Sequence, residues 1–256
     1  MEFDLVKVLL ILVTGVLAGI INVFAGGGSL LTLPVLIFMG LPSATANGTN
    51  RVAIEVQNII AVLGFRSKGV SNFKLSIQFA IPALVGAIVG ARIAVDLPDK
   101  LFNQILAGVM ILALGLILWN PTRRLKHTDI EMTPTRRVVA TFAFFLVGIY
   151  GGFIQAGVGF ILIATLVLVT GLDLVRTNSH KVFIIAVYTL SALATFALNG
   201  KVDWVLGLVL AIGNGTGGWL GSRFQVAKGE KWVRIVLIIA VLTMAVRLSG
   251  IIPGWS

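Results

Sequence analysis

Long runs of residues with almost no charge constrain this chain before any motif does. Stretches 8–24, 29–50, 52–65, 75–95, 101–119, 138–172, 182–200, 204–222 and 235–246 are uncharged or nearly so. About 20 helical residues cross a ~30 Å hydrocarbon core, so runs of this kind read as membrane helices. With 57% hydrophobic and 12% charged residues the chain is too apolar for a soluble fold, and no stretch looks like a soluble domain. The expectation is an all-α polytopic membrane protein. The flank of the first run, MEFDLVK, is acidic and leads straight into a second apolar segment, unlike a cleaved signal. The mature chain is expected to keep it.

The chain also repeats itself at an offset of about 131 residues. GAIVGAR (86–92) returns as GGWLGSR (217–223), MGLPSATANGTNRV (39–52) as TGLDLVRTNSHKV (170–182), and GIINVFAGGGSLL (19–31) as GGFIQAGVGFILI (151–163). Duplication in a polytopic chain is typical of transporters, in which two halves form one site at their interface and alternate its exposure. The segment 120–137, with Pro121, Pro134 and mixed charge, reads as a cytoplasmic linker between a first repeat (1–119) and a second (138–256).

A net charge of +10 does not point to nucleic acid, because the basic residues lie in short inter-helix loops such as 65–74 and 120–138, the usual cytoplasmic bias. That bias weighs two topologies. If 4–40 and 138–171 each hold a full helix and a shorter returning segment, the cytoplasmic loops hold Arg66, Lys68, Lys74, Arg123, Arg124, Lys126, Arg136, Arg137, Arg176, Lys181, Lys228, Lys231 and Arg234. Lys7, Lys100, Lys201 and Arg247 then lie outside, a split of 13 against 4. Eight single crossings give 11 against 6. The first arrangement fits better, and it makes the repeats inverted, with about eight long helices and two half-helices.

The half-helices follow from length. Segments 29–39 and 160–170 have 11 residues each, about half of what a ~30 Å core needs. Ahead of them lie Ala25-Gly26-Gly27-Gly28 and Ala156-Gly157-Val158-Gly159. Each glycine forfeits about 1 kcal/mol of helix propensity relative to alanine, which permits a break. Non-helical backbone at membrane depth is tolerated where protein buries it or where it lines a cavity. A half-helix starting at Gly27, Gly28 or Ser29 aims its N–H groups and positive dipole end there, which suits an anion. Close helix packing by small residues is the competing explanation, but matching breaks in both repeats favour a site.

At this point the run GIINVFAGGGSLLTLPVLIFMGLPSATANGTNRVA (19–53), with GIYGGFIQAGVGF (148–160) and GLDLVRTNSHK (171–181), resembles the TauE/SafE sulfite-exporter family of permeases, also called the toluene-sulfonate uptake permease family. The resemblance covers nearly the whole chain. It implies a polytopic permease for small anions, often sulfur-containing, in a prokaryotic cytoplasmic membrane; members differ in substrate and direction.

Candidate site residues follow. Asn22 and Gln155 precede the two breaks and either face the cavity or bond neighbouring helices. Thr49-Asn50-Arg51 and Ser179-His180-Lys181 occupy equivalent positions ahead of long apolar runs, each offering donors and a cation near a helix N-terminus. Glu55, one turn beyond Arg51, either pairs with it at i,i+4 or carries a proton. Arg92 and Arg223, each closing a G-x-x-x-G-[Ala/Ser]-Arg motif near the end of an apolar run, either snorkel to the interface or serve as vestibule contacts. The expected anion site is Asn22, Gln155 and the two matched triplets with Gly27, Gly28, Ser29 and Gly159, while Arg92 and Arg223 are vestibule or gating candidates and Glu55 a candidate for proton coupling.

No cysteine and only His127 and His180 occur, which excludes disulfides and thiolate catalysis and leaves no metal site or cofactor to expect. Neither a nucleophile with its base nor a G-x-x-x-x-G-K-[S/T] loop is present, so an enzyme or an ATP-driven pump is not indicated. A secondary anion permease accounts for duplication, breaks and cations together; an anion channel of the same fold is the alternative. The partners expected are a small anion and the lipid bilayer.

Overall fold

The structure, a computed structural model, describes residues 5–67, 69–70, 73–119, 132–224, 238 and 242; the side chains of 23–25, 73, 117–119 and 221–224 lie outside that description. Most of the expected linker (120–131), His127 and most of the last apolar run, with Lys228, Lys231, Arg234 and Arg247, also lie outside it. The described residues form nine helices and no strand: α1 (Leu5–Ala25), α2 (Ser29–Phe38), α3 (Ser43–Ser67), α4 (Phe73–Val95), α5 (Asp99–Trp119), α6 (Pro134–Phe153), α7 (Val158–Thr170), α8 (Leu174–Leu198) and α9 (Trp204–Phe224). Five of them, α1, α4, α5, α6 and α8, are long and apolar enough to cross a membrane.

The two short helices stand where the glycine clusters place them. α2 has 10 residues and α7 has 13, α7 starting two residues before the expected 160. At about 1.5 Å per residue they are about 15 and 20 Å long, too short to cross a ~30 Å core. α2 is followed by Gly40 (φ +96°) and α7 by Gly171 (φ +69°), both in the left-handed region that a Cβ disfavours.

Polar residues extend two of the long helices beyond the apolar runs. Asp173 caps α8 by accepting from the amides of Val175 and Arg176, so α8 begins eight residues before the run at 182. Ser43 opens α3 with its amide on Asp99 Oδ1 (2.8 Å) and its hydroxyl on Asn103 Oδ1 (2.9 Å) at the start of α5. One expectation is corrected here. Thr49-Asn50-Arg51 and Ser179-His180-Lys181 do not flank open helix N-termini; they lie well inside α3 and α8.

Small residues let four helices approach to backbone contact. A Cβ on Gly86 or Gly90 would collide with the Phe145 or Ile149 carbonyl of α6, and one on Gly148 or Gly152 with the Ala83 or Ala87 carbonyl of α4. The α1–α9 seam is built alike, with Gly15 and Gly19 against Leu210 and Asn214, and Gly213 and Gly217 against Leu12 and Val16. Van der Waals packing of this kind joins helices where lipid removes the hydrophobic drive. Along both seams the contacts advance together, so α4 runs parallel to α6 and α1 parallel to α9. α3 and α8 run antiparallel: Gly48 meets Phe196 and the Lys201 carbonyl, and the Ser179 hydroxyl donates to the Val70 carbonyl.

One apolar core, including Ile11, Leu30, Leu33, Phe102 and Leu210, fills the space among α1, α2, α5 and α9. A second, including Phe79, Phe144, Leu162, Ile184 and Tyr188, fills the space among α4, α6, α7 and α8. The Phe79 and Phe144 rings stack at 4.4 Å.

Candidate functional site

The two glycine breaks meet. A Cβ built on Gly159, at the start of α7, would strike the carbonyl of Gly26, and one on Gly26 would lie 3.0 Å from Gly159 Cα. Gly26 (φ +74°) and Gly157 (φ +71°) adopt left-handed conformations, the latter as the residue before α7. Gln155 is the one non-glycine residue with positive φ among those described (+57°), in a three-residue turn closed by the Ala156 amide on the Ile154 carbonyl. Backbone strain at a non-glycine residue persists only where its surroundings over-determine it. Those surroundings are polar: Gln155 Oε1 accepts from Tyr188 Oη (3.1 Å) and Arg51 Nη1 (3.4 Å), and Tyr150 Oη donates to the Ala156 carbonyl.

Each buried cation reaches across to the other break. Arg51, on α3, is fully buried and extends to the break before α7. Its Nη2 donates to the Gly152 carbonyl and to Asn47 Oδ1 (3.4 Å), and its guanidinium lies 4.9 Å from the centre of the Phe196 ring. Lys181, on α8, is 4% exposed, and its Nζ lies 3.5 Å from where a Cβ on Gly26 would stand, beside the break before α2. Its ammonium makes no hydrogen bond or ion pair among the described residues. The i,i+4 pair of Arg51 with Glu55 is not made: Arg51 takes neutral partners, and Glu55 Oε2 is buried without one.

The other candidates divide between the breaks and the helix packing. Asn22 Oδ1 accepts the Gly28 amide (3.1 Å) and Asn22 Nδ2 donates to Gln57 Oε1 (2.8 Å), so it ties the start of α2 to α3. The Gly28 N–H is therefore engaged within the protein. A Cβ on Gly27 would press on Phe160 Cε2 at 2.9 Å, and Ser29 is buried as the first residue of α2. Asn50 Oδ1 accepts from Thr32 Oγ1 of α2 (2.6 Å), leaving its buried Nδ2 without a partner. Thr49 Oγ1 instead accepts the Asp203 amide (2.9 Å) in the α8–α9 loop, and Ser179 bonds Val70 in the α3–α4 loop (2.6 Å). His180 Nδ1 pairs with Ser76 Oγ of α4 at 2.7 Å. Arg92 is exposed in the last turn of α4; Arg223 lies in the last turn of α9, its side chain outside the described residues.

Sequence reasoning missed Asn47, Thr32, Gln57, Tyr150 and Tyr188. Asn47 carried a signal, standing four residues before Arg51 and so on the same helix face. The tyrosines carried another, since the chain has only two and both serve the second break.

The sulfite exporter TauE/SafE family model matches residues 11–248 of this chain. A probable membrane transporter protein of Escherichia coli strain K12, YfcA, is 31% identical over 234 residues, 91% of this chain and 86% of that protein. A probable membrane transporter protein of a Sinorhizobium species, ORF9, is 28% identical over 236 residues, covering 92% and 90%. No solved structure matches. These bacterial relatives carry the name of probable membrane transporters, and together with the family and five apolar spans they make this an integral inner-membrane protein that handles a small molecule. The chain belongs to the TauE/SafE family of membrane transporters.

Proposed function

We propose that this protein is a secondary permease for small anions of the sulfite or sulfonate type, working as two inverted halves that alternate access to a site between the glycine breaks. The observation that carries this reading is the pair of buried cations, Arg51 and Lys181, at matched positions, each reaching the opposite break and neither paired with a carboxylate among the described residues. Uncompensated positive charge held away from water favours an anionic guest, whose own desolvation must be repaid by charge and well-placed donors. Lys181 supplies the charge, Asn50 Nδ2 is an unused buried donor, and the positive dipole end of α2 adds to both. Parallel α1–α9 and α4–α6 seams with antiparallel α3 and α8 support inversion, because each helix then runs opposite to its counterpart. The relatives are transporters, and the chain acts as a permease rather than an enzyme.

Thermal unfolding of the purified protein against sulfite, methanesulfonate, sulfate and carboxylates tests the reading. A true ligand at about 100 times its Kd stabilises by about 2.7 kcal/mol. Stabilisation by sulfite or methanesulfonate, with none from choline chloride at equal ionic strength, is expected. No stabilisation by any anion overturns it.

A further inference from the structure

We propose that Lys181 carries a coupling proton: anion and proton cross together as an ammonium–anion pair, and the empty protein returns with a neutral amine. This rests on the anion-permease reading and adds the coupling ion to it. The two buried cations are held differently. Arg51 keeps its charge at all accessible pH, and the protein answers its two terminal nitrogens with the Gly152 carbonyl, Gln155 and Asn47 and its face with Phe196, leaving only Nε without a partner. Lys181 is almost as buried and has no such answer.

α8 packs against α3, α4, α6 and α7. Their ionisable groups are Arg51, Glu55 and Arg66 on α3, Lys74 and Arg92 on α4, Arg136, Arg137 and Tyr150 on α6, and none on α7. On α8 itself, Arg176 pairs with Asp173, His180 with Ser76 and Tyr188 with Gln155. Among the described residues none of these bonds Lys181.

An unpaired ammonium in a low-dielectric interior costs several kcal/mol. Lysine, unlike arginine, escapes that cost by giving up its proton. With the anion bound, –NH3+ and the anion form a neutral pair. When the anion leaves to water, the ammonium releases its proton to water on the same side and remains –NH2. After the protein reorients, the amine takes a proton from water on the opposite side and accepts the next anion. One anion and one proton move per cycle, with no net charge.

Proteoliposomes of the full chain, with trapped pyranine and external 35S-labelled methanesulfonate or sulfite, test this. Methanesulfonate is informative because it stays ionised and does not leak as a neutral acid. The expected result is accumulation driven by external acid, luminal acidification of about one proton per anion, and insensitivity to a potassium–valinomycin potential. Lys181→Arg, which holds an anion and cannot discharge, should keep anion–anion counterflow while net uptake falls about tenfold or more. Glu55→Gln should leave acidification intact. Wild-type uptake without acidification, or driven by the potential, overturns the proposal and leaves the permease reading standing. Undiminished net uptake by Lys181→Arg, or loss of proton movement with anion flux preserved in Glu55→Gln, overturns it too. Failure of the wild type to move either anion defeats the permease reading itself. Should Lys181→Arg fail to insert, the wild-type stoichiometry decides alone.

Discussion

Arg51 and Asn50 are adjacent on α3 and do different work. The Arg51 fork donates to the Gly152 carbonyl and to the Gln155 and Asn47 amide oxygens; Gln155 Oε1 keeps Tyr188 Oη as a donor, so the loss of Arg51 strands the Gly152 carbonyl and Asn47 Oδ1. Arg51→Met should destabilise the protein by about 1–3 kcal/mol per stranded group, read as a lower midpoint of thermal unfolding in detergent. An unchanged midpoint would remove its bracing role. Asn50 has a donor to spare, and Asn50→Ala should weaken anion binding by about tenfold to a hundredfold, the worth of a hydrogen bond to a charged group. Anion titration of the folded variant by thermal shift measures this. Residue type alone could not separate the two roles, because the Arg51 partners at the second break, Gly152 and Gln155, stand about a hundred positions away in the chain.

At the scale of elements, the half-helices were legible and their meeting was not. A run of 10 to 13 apolar residues behind a glycine cluster reads as a short helix from spacing alone. Nothing in either run says that Gly26 and Gly159 touch. That contact makes Gly159→Ala more damaging than its one added methyl suggests, since the methyl meets backbone that has nowhere to retreat. Overpacking costs about 1–3 kcal/mol, and transport should fall with stability. Gly27→Leu, which drives a side chain into Phe160, should abolish uptake while the protein still inserts. Gly108→Ala and Gly115→Ala provide the control: both lie in α5 with open space beside them, so each should be neutral or stabilising by up to about 1 kcal/mol. Equal loss in all four variants would mean that the breaks are ordinary helix surface.

For the whole molecule, the inverted arrangement is testable because the chain has no cysteine of its own. Val175 and Asn199 are exposed near opposite ends of α8. With the repeats inverted, Asn199→Cys should react with a membrane-impermeant maleimide on intact cells, and Val175→Cys only after permeabilisation. A reporter fused after Ser256 should read outside. The reverse labelling would establish eight single crossings.

The sequence by itself determined the environment, the helical class, the two short helices and the family. Each of these rests on local hydropathy, glycine spacing or a contiguous motif such as 19–53. It also nominated Arg51 and Lys181, through matched positions in the two copies. Only the tertiary structure decided which donors turn inward. Thr49 and Ser179 look like ligands in sequence but bond the Asp203 amide and the Val70 carbonyl in loops more than a hundred residues away. Asn47, Gln57 and Tyr188 look like packing and serve the breaks or the contacts that anchor them. The physical reason is that a side chain's partner is set by which helices pack side by side. That choice depends on backbone approach along the α1–α9 and α4–α6 glycine seams, summed over distant segments.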